Sequence, residues 1–247
     1  MSRLAVVALA AALSFAPSAP VQAKCAPTLL APQLLTHPAD PIPAGGGVLV
    51  GYIHSRDDDA AAARGADPAV NADWKMTVAK RRVAPRIEVL APGLAVYRPG
   101  AIRGARPTAL TLRDGKGKKL GAFSARGRAA AFALSAPTVT SATTVTTTVD
   151  YGRYQGTKEI ATVVVDAIPR GAVALIAYRT SGTTPVAIAW ARVEASSKPA
   201  IEIYATPGRC GTEPDGLSAP TTGESIVVAW VDQFGQRTSM SAPIRVK

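Results

Sequence analysis

The stretch SIVVAWVDQFGQRTSMSAPIRVK, residues 225–247, joins an apolar run to a polar turn and a second run of alternating character. Ile, Val and Trp dominate residues 226–231, and β-branched and aromatic side chains suit a pleated, packed surface. A period of two puts Ile226, Val228 and Trp230 on one face, directed at a core. Asp232 to Gly235 then supplies a turn, and Met240 to Val246 reads as the returning strand. The C-terminal segment is thus strand, turn, strand, and the chain before it follows the same pattern.

Short apolar or alternating runs, separated by Gly, Pro, Asp and Ser, recur along the sequence without long helical periodicity. Predicted strands in the first half are Val48 to His54, Arg86 to Leu90, Leu94 to Arg98, Thr108 to Arg113, Leu120 to Ser124 and Ala130 to Ser135. LTLRDGKGKKLGAF is the clearest hairpin: Leu110 and Leu112 share a face, Asp114-Gly115 accepts the positive φ of a tight turn, and Gly117 leaves room for a bulge. The polar, Ala-rich residues 55–75 form a long insertion, a place to expect a binding loop.

Ser135-Ala136-Pro137 marks a junction, because Pro cannot donate to a ladder and pushes the preceding residue extended. The Thr- and Val-rich residues 138–149 then read as an edge strand. After it come Lys158 to Ile168, Ala172 to Arg179, Val186 to Val193, Ile201 to Ala205, Ser225 to Asp232 and Met240 to Val246, seven strands in all, the immunoglobulin-type count. In the fourth, bulky Val186, Ile188 and Trp190 alternate with Ala187, Ala189 and Ala191, which predicts one bulky face and makes Trp190 a core anchor.

Residues 225–246 resemble the last two strands of a fibronectin type III or related immunoglobulin-like module, in which a strand ends in Val-Asp, turns through Gly and returns through Ser-Ala-Pro. The likeness extends thinly over residues 138–247, and the Leu110 to Phe123 hairpin resembles that of a bacterial immunoglobulin-like domain. Such a resemblance implies adhesion, spacing or protein binding rather than chemistry. The expected fold is all-β: two tandem immunoglobulin-like β-sandwich domains, residues 24–135 and 136–247, after a signal peptide.

That peptide is read in residues 1–23: Arg3, an apolar stretch from Leu4 to Phe15, and a small-x-small site at Val21-Gln22-Ala23. A chain of 224 residues remains (247 minus 23), expected to be exported, periplasmic or extracellular. Lys24 before Cys25 argues against a lipid anchor there. Cys25 and Cys210 are the only cysteines, so one disulfide is the economical expectation in an oxidising compartment. Closing so long a loop is worth on the order of 4–5 kcal/mol. Cys25 to Pro43, with five prolines, would form an extended strap, and the bridge would require either that this tail run back along the second domain or that the two domains fold side by side.

Chemistry finds little purchase. A Ser-His-Asp site needs a histidine, and only His37 and His54 exist, with no G-x-S-x-G. His54 with Asp57, Asp58 and Asp59 lacks the alternating oxygen ligands of a calcium loop, so no metal site is expected. Gly45 to Gly47 precede a strand rather than a helix, so they make a turn and not a phosphate loop. No cofactor is predicted.

Charge is the informative feature. Residues 75–128 carry 14 basic and two acidic side chains, whereas residues 136–247 are nearly balanced, with 10 basic and nine acidic. Lys80, Arg81 and Arg82, with Lys116, Lys118 and Lys119 on the hairpin, are the candidate polyanion-binding residues. The expected function is a non-catalytic exported module whose basic first domain docks an anionic envelope polymer or a protein. Nucleic acid is not expected, because stacking aromatics are sparse, and neither is membrane insertion. The alternative is a small exported hydrolase or an enzyme accessory domain on the same sandwich.

Overall fold

The computed structural model describes residues 31–53, 73–100, 102, 106–127, 134–150, 155–180, 182–193, 200–205 and 219–247. Cys25, Cys210, His54 and Asp57 to Asp59 lie outside these, as do residues 1–23, expected from the sequence to be a signal peptide, and most of residues 55–75. Among the described residues there is no helix, and every sheet is antiparallel.

Eight strands precede residue 126: β1 (Ala31–Leu34), β2 (Val48–Ile53), β3 (Lys75–Val78), β4 (Arg81–Val83), β5 (Arg86–Ala91), β6 (Leu94–Arg98), β7 (Thr108–Arg113) and β8 (Lys119–Ala125). They form two sheets, ordered β1-β2-β6-β5 and β4-β3-β7-β8. Seven follow: β9 (Val139–Asp150), β10 (Gln155–Val165), β11 (Ala172–Arg179), β12 (Val186–Arg192), β13 (Ala200–Ala205), β14 (Ser225–Asp232) and β15 (Ile244–Arg245). Their sheets are β13-β10-β9 and β12-β11-β14-β15, with β9 at an edge as its Thr-rich sequence predicts. No sheet mixes strands from the two halves.

Three apolar layers join the four sheets. Val48, Val50, Met76, Ala95, Tyr97, Leu110, Leu112 and Phe123 fill the space between the two first-half sheets. Val163, Leu175, Ile201, Ile226, Val228 and Trp230 fill the equivalent space in the second half, so the inward face read from the C-terminal run is the one observed. The third layer lies between the halves, where Leu49, Leu94 and Val96 meet Ala174, Ile176, Val227, Ala229 and Val231. β6, β11 and β14 are therefore buried on both faces, which accounts for unbroken runs such as IVVAWV. β7, in an outer sheet, alternates buried and open positions. The two halves thus share an apolar layer.

Several expectations are corrected. Trp190 does not share a face with Ile188: a register shift between Ala177 and Tyr178 leaves Ile188 as an extra residue opposite β11. The bulge breaks the period of two, so Ile188, Ala189 and Ala191 face the second-half core while Ala187 and Trp190 enter the seam. There the Trp190 ring rests on Gly51, where an added Cβ would fall 2.4 Å from Cη2. In the 114–118 turn the positive φ belongs to Gly117 (87°) and not to Asp114-Gly115. Part of the expected strap is instead the edge strand β1, with Pro32 opposite Tyr52. Of Ala130 to Ser135, residues 130–133 fall outside the described residues and Leu134 packs on the second-half core without forming a strand.

The returning C-terminal strand is also shorter than predicted, because hydroxyl groups replace part of its ladder. Thr238 accepts the Trp230 N–H through Oγ1 at 3.0 Å and donates its own N–H to the Trp230 carbonyl at 3.0 Å. Ser241 does the same with Val228, at 3.0 and 2.8 Å. Both residues are buried. Ser241→Ala would leave the Val228 N–H without a partner inside the fold, and a loss of about 1–3 kcal/mol in urea-denaturation stability is expected.

The turn at 232–236 reaches across the seam. The Asp232 carbonyl accepts the Gly235 N–H at 3.1 Å, and the Asp232 carboxylate accepts the N–H groups of Phe234 and Gln236, each at 2.8 Å. Thr36 donates to the Gln233 carbonyl at 2.6 Å, Gly47 donates to the Phe234 carbonyl at 3.0 Å, and Phe234 packs against the first-half core. Gln233 accepts the His37 N–H at 3.1 Å and donates to Asp40 at 2.9 Å. The Gly45 to Gly47 run is the seat: an added Cβ at Gly46 would lie 3.2 Å from Phe234 Cβ. Beside it, Glu88 pairs with Arg98 at 2.9 Å and with Arg237 at 3.5 Å, so a first-half carboxylate holds cations from both halves.

Burial pushes the Asp232 carboxyl above its ordinary 3.8, against the pull of its backbone donors and Arg98. A raised folded-state pKa favours the fold below the unfolded pKa, and that contribution is lost as pH climbs through the folded value. Asp232→Asn keeps an acceptor for the two N–H groups without the buried charge. Its melting temperature relative to wild type is therefore expected to be higher at pH 7 than at pH 3.5; an unchanged difference would refute this.

Candidate anion-binding face

The sheet β4-β3-β7-β8 is the outer sheet of the first half, and its side chains alternate between the core and the outside. Met76, Leu110, Leu112 and Phe123 point inward, so Lys75, Thr77, Thr111, Arg113, Lys119 and Ala122 point outward. Lys75 lies opposite Arg113 and Arg113 opposite Lys119, a row of three cations on three adjacent strands. At strand spacings of about 4.8 Å the row is roughly 10 Å wide. Like charges directly opposite one another oppose sheet formation, so nothing in local strand pairing favours this row. Arg82 lies in the next outward row, opposite Thr77, which in turn faces Thr111.

The six candidates from the sequence form two groups rather than one. Val78 pairs with Arg81, so Ala79 and Lys80 are a two-residue turn; both have positive φ, 48° and 68°, as a primed hairpin turn requires. Lys80, Arg81 and Arg82 therefore cluster at the end of the sheet where β7 begins, Arg82 on the outward face and Arg81, opposite core-packed Val78, on the other side of edge strand β4. The β7–β8 turn, with Lys116 and Lys118, lies at the other end, next to the Lys75–Arg113–Lys119 row. β3 and β4 are not evident in the sequence, being three or four residues long and carrying as many cations as apolar groups. Lys75 joins the site only through the order of strands. Arg113 was legible, because the β7–β8 hairpin sets it against Lys119.

Two of the neighbouring acids, Asp114 and Glu88, have partners of their own. Asp114 Oδ1 accepts the Lys118 N–H at 2.7 Å, shaping the turn. The Asp73 carboxylate lies over Gly115, where an added Cβ would fall 1.4 Å from Oδ2. Glu88 is engaged in the seam with Arg98 and Arg237. Among the described residues no ion pair involves Lys75, Lys80, Arg81, Arg82, Arg113, Lys116, Lys118 or Lys119. The face is cationic and exposed, with the Asp73 carboxylate beside its β7–β8 turn.

Among the described residues no aromatic group reaches this surface. Trp74 and Tyr97 are buried beneath it and stacked on each other, with ring centroids 5.0 Å apart. Of the two histidines, His37 accepts the Ala39 N–H at 3.3 Å and lies 4.0 Å from Asp40, within the segment that receives the 232–236 turn. No group of three or more His, Cys, Asp or Glu converges among the described residues. No protein-family model matches the sequence, and no curated protein matches it.

Proposed function

We propose that this chain is an exported, non-catalytic binding module made of two immunoglobulin-like β-sandwiches, which docks an anionic envelope component through the outer sheet of its first half. The observation that carries the reading is the exposed sheet with eight cations, Lys75, Lys80, Arg81, Arg82, Arg113, Lys116, Lys118 and Lys119, and no ion pair to any of them among the described residues. A field of one sign on a flat face attracts polyanions and weakens as salt rises.

Strand order supports the architecture. In the second half β9, β10 and β13 form one sheet and β12, β11, β14 and β15 the other, the arrangement of a fibronectin type III module. The first half repeats this order with one more strand, β5, added beside β6. The apolar seam joins the second half to the first as a support for the basic face, a role of the spacing kind that the resemblance implies.

Salt-gradient elution from a sulfated or phosphorylated resin tests the proposal. Lys116, Lys118 and Lys119 together changed to Glu should elute at clearly lower salt and flatten the salt dependence of binding. Unchanged elution would overturn it.

A further inference from the structure

Resting on the docking reading, the geometry points to a ligand class: we infer that the first-half outer sheet binds a linear chain of repeated phosphate groups, laid along the strands so that one molecule engages both cation clusters. β3 and β7 are antiparallel, with Lys75 opposite Arg113 and Val78 opposite Leu110. The Lys75–Arg113–Lys119 row and the Lys80 turn are therefore separated by the length of β3. Three residues of strand span roughly 10 Å, and with the turns beyond each end the two tips lie on the order of 20 Å apart. A single phosphate reaches one cluster; a chain reaches both.

The path between the clusters is shallow. Apart from Arg82, which belongs to one cluster, its outward positions are Thr77, Thr111, Ala109, Ala122 and Ser124, all small, so a flexible chain can lie close to the sheet without displacing a bulky side chain. Threonine and serine hydroxyls can donate to phosphate oxygens along the way. Five of the eight cations are lysines, compact point charges that bind phosphate without a fixed in-plane geometry, and the three arginines can hold phosphate oxygens in a fork. Among the described residues the sheet offers no exposed aromatic platform on which a base or sugar ring would stack, so recognition falls on the repeated charge.

Two linked contacts give a chain-length effect, since the second binds at high effective concentration once the first is made. Long-chain inorganic polyphosphate should bind the full chain on the order of 100-fold more tightly than tripolyphosphate. Changing Lys80, Arg81 and Arg82 to Glu, or Lys116, Lys118 and Lys119 to Glu, should each abolish that advantage while leaving weak tripolyphosphate binding at the other cluster. Amine-reactive labelling of the wild-type protein gives a readout independent of variant folding: long polyphosphate should protect Lys80 together with Lys116, Lys118 and Lys119, and tripolyphosphate should not protect both sets in one molecule. Equal affinity for long and short chains, or protection of one cluster alone, overturns the inference and leaves docking intact. Tighter binding to polygalacturonate or to phosphatidylglycerol vesicles than to polyphosphate also overturns it. Failure to bind any of these polyanions removes the docking reading itself.

Discussion

Gly235→Val is expected to destabilise the protein by about 3–4 kcal/mol, combining a backbone penalty with overpacking. Gly235 has φ of 75°, a conformation that costs an L residue about 1–2 kcal/mol and is worst for a β-branched one. An added Cβ would lie 2.6 Å from Val96 Cγ2 and 2.7 Å from Val96 Cβ. Val96 is fully buried in the layer between the halves, so it has nowhere to move. Relieving the clash means withdrawing the whole turn, and with it the Phe234 carbonyl from Gly47 and the Gln233 carbonyl from Thr36. Urea denaturation followed by circular dichroism should show one cooperative transition in wild type and a lower, broadened or divided one in the variant. A midpoint close to wild type would mean that the seam tolerates the turn's removal.

Trp230→Ala is expected to cost about 3–5 kcal/mol, the usual range for truncating a buried indole. Trp230 is 1% exposed and lies among Leu175, Ile188, Ile201 and Val163, contributed by four strands of both second-half sheets. No single neighbour can fill the space it leaves, so relaxation is limited. Trp190→Ala should cost less, because Trp190 is only partly buried, its ring resting on Gly51 in the seam. Equal losses for the two tryptophans, measured by circular dichroism in urea, would contradict the assignment of one to a core and the other to the seam.

The sequence by itself determined most of the strands that have a clear hydrophobic pattern. Leu94–Arg98, Thr108–Arg113, Ala172–Arg179 and Ser225–Asp232 are observed with the ends their residues predict, because side-chain period and turn residues act over a few positions. It also placed the excess of positive charge in the first half and the turn at Asp232 to Gly235. Short β1, β3 and β4 were hidden, since three or four residues establish no period. The tertiary structure alone decided where faces and charges go. A continuous apolar run is compatible with any packing that covers both sides, so IVVAWV could not name the strands of the first half that lie against it. The turn at 232–235 docks on Gly45 to Gly47, almost 190 residues earlier in the chain, a contact written in no local pattern. Antiparallel pairing then separated Lys80 from Lys116 and brought Lys75, Arg113 and Lys119 into one row, because strand direction and order, not spacing along the chain, set which side chains are neighbours on a sheet.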